Sequence, residues 1–381
     1  MPVAYDDNSK LWITILTIYF LCHALIRISI GLPLTPDEVD ILSKAARLQW
    51  HYDGTMPLYP WMQRGMLSLV GDPVIALAAL KNLILLVLSL AVYGMVRASA
   101  AAHWAWSATI CLVFVPQIAW SSQHGLTSPV LATSMAAMVI LAVVATLKKP
   151  TILRYLWLGL MIGTGAISSL SFLWFLAALV LALLTHTDFR GMILSPRFLV
   201  TFVAACGLAG MPHYAAWLDG FGADLPVVAL PMLTIEQGLA RIHQGYAFLQ
   251  TGIVFAAILL IGVCVTIYKG LGPRHATKPE TAALRDLIAR VVSVGFLIFL
   301  GAAIISGDNH ATFADIQPVM FLTAPMAVLY LYPLMTHQAH RTVTVGAAAL
   351  AMVMLVLSPA YYAFGLYADK PAPQFARMDA Q

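Results

Sequence analysis

Apolar stretches about as long as a bilayer is thick recur along nearly the whole chain, and they leave it few ways to fold. Eleven can be marked, near residues 11–32, 73–95, 103–121, 126–147, 153–168, 171–186, 198–217, 249–268, 287–306, 317–335 and 343–362. A helix needs about 20 such residues to cross the hydrocarbon layer. The composition agrees: of 381 residues 61% are hydrophobic and 10% charged, against about 25% charged in soluble domains. The expected fold class is therefore all-α, a polytopic membrane protein with about eleven transmembrane helices forming one domain over 1–381. The two short stretches flanking Ser168 and Ser169 leave a re-entrant pair open. The first stretch is long, contains Arg27 and lacks a small-residue cleavage site before Thr35 and Pro36, so it reads as an uncleaved span rather than a signal peptide.

Lys and Arg set the expected orientation, because positively charged loops stay in the cytoplasm. With the N-terminus inside, the cytoplasmic side receives twelve, among them Lys10, Arg97, Lys148, Lys149, Arg190 and Lys269, and the external side six. Most acids then face outward, including Asp37, Glu38, Asp53, Asp72, Glu236 and Asp308. The net charge of +4 reflects this asymmetry, and no basic, aromatic-studded strip points to nucleic acid. Cys22, Cys111, Cys206 and Cys264 all fall inside apolar stretches, where cysteine behaves as a small hydrophobe. No metal-type Cys/His cluster is present; His337 and His340, the closest pair, read as a solvated cytoplasmic turn beside Arg341.

Two external segments are long, 33–72 and 218–248, and they are the candidate functional surface. The segment 268–286, with Gly272-Pro273-Arg274 and Lys278-Pro279-Glu280, reads as a cytoplasmic linker. In the first external segment Thr35-Pro36-Asp37-Glu38 has the form of a helix start: a capping hydroxyl, a first-turn proline and two acids at the positive end of the helix dipole. Val39, Ile41, Leu42, Ala45, Ala46 and Leu48 continue it with an amphipathic period, which predicts a surface-lying helix over about 36–49. A second is expected near Trp61–Leu69, after Pro57-Leu58-Tyr59-Pro60.

Asp37 and Glu38 can be read as capping electrostatics alone, or as an external carboxylate able to take a proton from an acceptor hydroxyl. Arg27 and Lys81 each lie about 9–12 Å below the outer surface at 1.5 Å per residue. A charge at that depth faces either a partner or a polar cavity, or snorkels to the interface. Tyr59 and Trp61 suit an interfacial aromatic belt, or stacking against a sugar.

Asp37-Glu38, followed by Gly54-Thr55-Met56-Pro57-Leu58-Tyr59-Pro60-Trp61, resembles the first-loop signature of the GT-C glycosyltransferases, an Asp-Glu pair before a Pro-Pro-Leu-Tyr-x-Trp stretch. Pro212-His213 with Trp217-Leu218, and Gln317-Pro318, resemble later motifs of that family. The nearest resemblance is to the polyprenyl-phosphate-sugar transferases of bacteria, including aminoarabinose and rhizobial galacturonosyltransferases, and to protein O-mannosyltransferases.

The resemblance implies an enzyme of the bacterial inner membrane with its site on the external face. It would transfer a sugar from a polyprenyl-phosphate donor to an external glycan, lipid or protein acceptor. Asp37 would be the base and Glu38 would orient the acceptor or support a divalent cation. Arg27 and Lys81 would hold the phosphate, and Tyr59, Trp61 and His213 would contact substrate. The chain departs from the family pattern at His124–Pro129, which has no acid, within Ser168-Ser169-Leu170-Ser171, in place of a lysine, and at Asp315-Ile316, in place of Arg-Trp. A non-catalytic carrier of membrane lipids in the same fold is the alternative.

The orientation is testable in a variant lacking the four native cysteines. A membrane-impermeant maleimide added from outside should label Ser43→Cys and leave Lys149→Cys untouched until the membrane is opened; the reverse pattern would invert the topology.

Overall fold

The computed structural model describes residues 9–30, 34–50, 52, 55–124, 127–218, 278–306 and 315–363. These residues are almost entirely helical, and the one β pairing among them is an isolated bridge between Tyr52 and Thr55. In chain order the helices are α1 (Ser9–Ile30), α2 (Pro36–Ala46), α3 (Leu58–Val70), α4 (Pro73–Arg97), α5 (Ala102–Ile110), α6 (Ser128–Lys148), α7 (Ile152–Ala166), α8 (Leu170–Thr185), α9 (Thr187–Ile193), α10 (Phe198–Leu218), α11 (Pro279–Ser306), α12 (Gln317–Met320), α13 (Thr323–Leu331) and α14 (His337–Ala363).

Four helices, α1, α4, α6 and α14, are each long and apolar enough to cross a membrane; the bent pair α8 and α9 would make a fifth. Shorter apolar helices at Ala102–Phe114, Ile152–Ala166, Phe198–Pro212 and Gln317–Leu331 match four more of the expected spans, while the expected span 249–268 and the external segment 218–248 lie outside the described residues, apart from Leu218.

Helices of equal apolarity separate by residue size. The central α6 (SPVLATSMAAMVILAVVATLK) is rich in Ala, Ser and Thr, and Ala132, Ala136, Ala137 and Thr133 are buried in its contacts. Small residues let helix backbones approach closely in lipid, where there is no hydrophobic drive between helices. By contrast α1 turns Leu11, Ile15, Ile18, Leu21 and Leu25 outward, and α14 turns out Val345, Met352 and Val356. Those are faces for acyl chains.

Three expectations change. The stretches 103–121 and 317–335 are not straight spans. The first is broken into α5, a 3₁₀ turn at Cys111–Phe114 and a π turn at Gln117–Ser121, with Pro116 between them. The second is broken into α12, α13 and a 3₁₀ turn at Tyr332–Leu334, with prolines at 318, 325 and 333. Proline has no N–H to donate to the helix ladder and clashes with the preceding turn. The described part of the expected linker is helical: Pro279 and Glu280 open α11, and Leu284, Leu287, Ile288 and Val291 form its buried face. His340 does not lie on a solvated turn. It sits in the first turn of α14 with its Nε2 2.6 Å from Ser107 Oγ on α5. In addition, a sharp bend of 111° falls at His186, between α8 and α9.

The closest helix packing joins α7 to α10. An added Cβ at Gly159 would stand 2.5 Å from the Thr201 carbonyl oxygen, and the Thr201 hydroxyl donates to the Tyr155 carbonyl at 2.8 Å. Gly207, on α10, has open space where its Cβ would be. Gly159→Ala should therefore lower the unfolding temperature in detergent, at an overpacking cost of about 1–3 kcal/mol, whereas Gly207→Ala should leave it unchanged or slightly raised. Tryptophan fluorescence melts of the two purified variants make the comparison.

Candidate active site

The site is built on the two short helices of the first external segment. Thr35 is in extended geometry and its hydroxyl accepts from the Glu38 N–H at 3.3 Å, while Glu38 Oε2 accepts from the Thr35 N–H at 2.9 Å. This reciprocal capping box fixes the start of α2, which begins at Pro36 as the sequence predicts. The second helix runs Leu58–Val70, starting earlier than Trp61 because Pro57 and the Leu58 N–H, bonded to the Ile167 carbonyl at 3.1 Å, anchor its first turn to the α7–α8 connection. Gly71, at φ +83°, ends α3. Asp72 then caps α4 by accepting from the Ile75 N–H at 2.9 Å. The turn from surface helix to span is thus completed within two residues.

Glu38 is the centre. It is 2% exposed; Arg27 Nη2 donates to its Oε2 at 2.9 Å and Lys81 Nζ to its Oε1 at 3.1 Å. Arg27 occupies the last turn of α1, and Lys81 lies two turns inside α4. Two membrane helices and a surface helix therefore meet on one carboxylate. Lys81 does not snorkel: its side chain is 5% exposed. Each pair is worth about 5 kcal/mol of Coulomb attraction at 3 Å and an effective dielectric of 20, against a desolvation cost of several kcal/mol per ion. With two cations on one anion the attraction counts twice. Burial pushes the Glu38 carboxyl up, but Lys81, Arg27 and the Thr35 N–H together hold it below its ordinary value of 4.5. The trio carries one net positive charge.

Asp37, one residue away, is exposed in the first turn of α2. The adjacent acids are thus divided by the helix itself: 100° of rotation sends Glu38 into the protein and Asp37 to the surface. Both Glu38 oxygens are engaged by three donors and shielded from solvent, whereas Asp37 stands at the surface.

Tyr59 is fully buried one helix over, and burial together with the Glu38 charge pushes its phenol well above the usual range. The structure brings Arg27, Glu38 and Lys81 into direct contact and sets Tyr59 within reach of the Glu38 field. Trp61 does something different: its indole N–H donates to the Gln49 carbonyl at 2.8 Å and its ring meets Trp50 edge-on at 5.3 Å. It ties α3 to the segment after α2, as do Lys44, which donates to Asp40 and Thr55 at 2.6 Å, and Arg64, which donates to the Ala46 carbonyl at 3.2 Å. The His213 side chain lies outside the described residues. Among the described residues no group of three or more His, Cys, Asp or Glu is arranged to hold a metal ion.

Two features escaped sequence reading. Gln63, one turn after Tyr59, is fully buried. Its Nε2 and Oε1 and the Tyr59 hydroxyl have no hydrogen-bond partner among the described residues. Each such atom costs about 1–3 kcal/mol. The second is an amide network at the broken helices. Gln317 Nε2 donates to Ser122 Oγ at 3.0 Å, Ser122 Oγ to the Gln117 carbonyl at 2.6 Å, and Gln123 Nε2 to Asn82 Oδ1 at 3.2 Å. It joins α12, the π turn and α4, beginning one residue from Lys81. Ser168, in the stretch Ser168–Ser171 within which the family pattern has a lysine, is buried and donates to the Gly165 carbonyl at 2.6 Å. A Gln in an apolar helix was the available signal for both.

Residues 54–217 match the family model described as dolichyl-phosphate-mannose-protein mannosyltransferase. The lipopolysaccharide core galacturonosyltransferases RgtA and RgtB of Rhizobium johnstonii are 27% and 28% identical over 326 and 323 residues, or 82% and 81% of this chain. The chain spans 64% of the length of each. The fold is similar to that of ArnT from Cupriavidus metallidurans bound to undecaprenyl phosphate. The TM-score is 0.63 at 14% identity, over 94% of this chain and 66% of that one. The apo form of ArnT also gives a TM-score of 0.63 at 14% identity.

The ion cluster makes a stability prediction with a definite sign. Because the Glu38 carboxyl is lowered in the fold, its contribution is complete above 4.5 and is lost as pH falls through the lower folded value. Glu38→Gln, which removes the counter-ion that buried Lys81 shares with Arg27, should cost about 3–5 kcal/mol. Thermal unfolding should show a constant gap from wild type between about pH 8 and 5, narrowing only under more acidic conditions.

Proposed function

We infer that this chain is a glycosyltransferase of the GT-C superfamily, in keeping with the proteins it is similar to, and that it transfers a sugar from a polyprenyl-phosphate donor to an acceptor on the external face of a bacterial inner membrane. The observation that carries the reading is the buried Arg27–Glu38–Lys81 cluster, one residue from exposed Asp37. Its single net positive charge lies at the outer ends of α1 and α4, where the phosphate of a lipid anchored in the bilayer sits at headgroup level. A preorganised cationic site in a water-poor setting favours charge that develops on a leaving phosphate.

The chemistry is one displacement. Asp37 accepts the proton of the acceptor hydroxyl as its oxygen attacks the anomeric carbon, the bond from that carbon to the phosphate oxygen breaks, and the electron pair leaves with polyprenyl phosphate between Arg27 and Lys81. A single displacement inverts the anomeric centre. Glu38 keeps the two cations together and aimed, and its own oxygens remain engaged throughout. The relatives named for galacturonosyl transfer to a lipopolysaccharide core support a glycan acceptor.

A second reading, a lipid carrier without catalysis, draws on the buried Ser168 and on Asp315-Ile316 at positions where the family has charge. Reconstituted transfer with radiolabelled polyprenyl-phosphate sugars separates the two. Wild type should consume donor. Asp37→Asn should lower turnover by about 10²- to 10⁴-fold with donor KM little changed, and Lys81→Met should chiefly raise donor KM. Undiminished transfer by Asp37→Asn removes Asp37 as base, and no consumption of any donor by wild type favours the carrier.

A further inference from the structure

Gln63 is unusual among the buried polar side chains described here, because neither end of its amide is bonded within the protein. Gln317 and Asn82, equally buried, each spend at least one amide atom in the network at the broken helices. Gln63 spends none, and the Tyr59 hydroxyl, four residues earlier and so on the same face of α3, spends none either. The face thus presents a donor and an acceptor from the amide and a hydroxyl able to be either.

The surroundings narrow what could meet them. Both side chains are fully buried, and Tyr59 packs in the same core cluster as Ile41 of α2. The helix that carries Glu38, α2, packs against α3, which sets this face near the ion cluster. An isoprenoid tail offers no hydrogen bonds. A phosphate is drawn to the neighbouring cations rather than to a neutral amide. A neutral group that both donates and accepts, repeated at sugar-like spacing, satisfies three such atoms at once.

We propose that Tyr59 and Gln63 form a hydroxyl-reading subsite that binds the sugar ring of the donor beside its phosphate. The proposal rests on the transferase reading above and adds a specificity determinant, Gln63, to it. The binding cost of ordering these atoms is then recovered only when the sugar arrives, so a bare lipid phosphate and a glycosylated one are told apart here.

The test separates sugar from phosphate. Thermal shifts of the full-length protein in detergent are measured with undecaprenyl phosphate alone and with undecaprenyl phosphate carrying galacturonic acid, galactose or glucose. In wild type the bare lipid phosphate should raise the melting temperature, and at least one glycosylated form should raise it further. Gln63→Met keeps the unbranched shape and removes both polar ends. It should melt no lower than wild type without ligand and keep the lipid-phosphate shift, but lose the sugar increment, with donor KM raised about tenfold or more (about 1.4 kcal/mol) and kcat nearly unchanged. Should Gln63→Met not fold, Tyr59→Phe, which deletes one atom, should show part of the same loss.

An undiminished sugar increment in either variant, or a lowered unliganded melt with that increment intact, overturns the subsite in favour of a sealed structural water. So does a wild type that responds to the lipid phosphate with no sugar increment. A wild type that responds to neither lipid sinks the transferase reading itself.

Discussion

The geometry where α1, α2 and α4 meet depends on the carboxylate of Glu38. Three donors from three helices converge on it: the Thr35 N–H that starts α2, Arg27 at the end of α1 and Lys81 inside α4. Remove the carboxylate and Lys81 and Arg27 lose the counter-ion they share, and α2 loses half its capping box. The arrangement also explains why a lysine can lie two turns inside an apolar helix, because its partner comes down to it from above.

The division between the adjacent acids follows from helix geometry. Consecutive residues on a helix point about 100° apart, so a pair at a helix start cannot both face inward. Glu38 holds the cations and Asp37 stays in reach of water. A carboxylate open to water and a counter-ion shielded from it have opposite solvent requirements, and one turn of helix supplies both.

Below this layer, the broken helices do what a straight span cannot. Pro116 and the prolines of the α12–α13 region interrupt backbone pairing, and the side-chain amides of Gln123 and Gln317, the Gln117 carbonyl and the Ser122 hydroxyl gather where the interruption falls. Irregular backbone at membrane depth is tolerated only where protein covers it or polar groups meet it. Lipid-facing α1 and α14 show the opposite rule, with large aliphatic side chains outward and no need of polar contacts.

Much of this was legible in the sequence. The apolar stretches declared the helices, Thr35-Pro36-Asp37-Glu38 declared the start of α2, and the order of Asp37-Glu38, Tyr59 and Trp61 gave the resemblance from which the site was expected. Local rules suffice there because capping and hydrophobic length are properties of neighbouring residues. The sequence also marked Arg27 and Lys81 as charges out of place, but not what they were for. That they share Glu38, 11 and 43 residues away, that Trp61 fastens a loop, that His340 bonds to Ser107, and that Gln63 keeps its amide unspent are decided by which helices pack together. In a chain this apolar nearly every span is as hydrophobic as its neighbour, so hydrophobicity cannot select partners. Small residues, prolines and a few buried charges do that, and their pairings exist only once the helices have met.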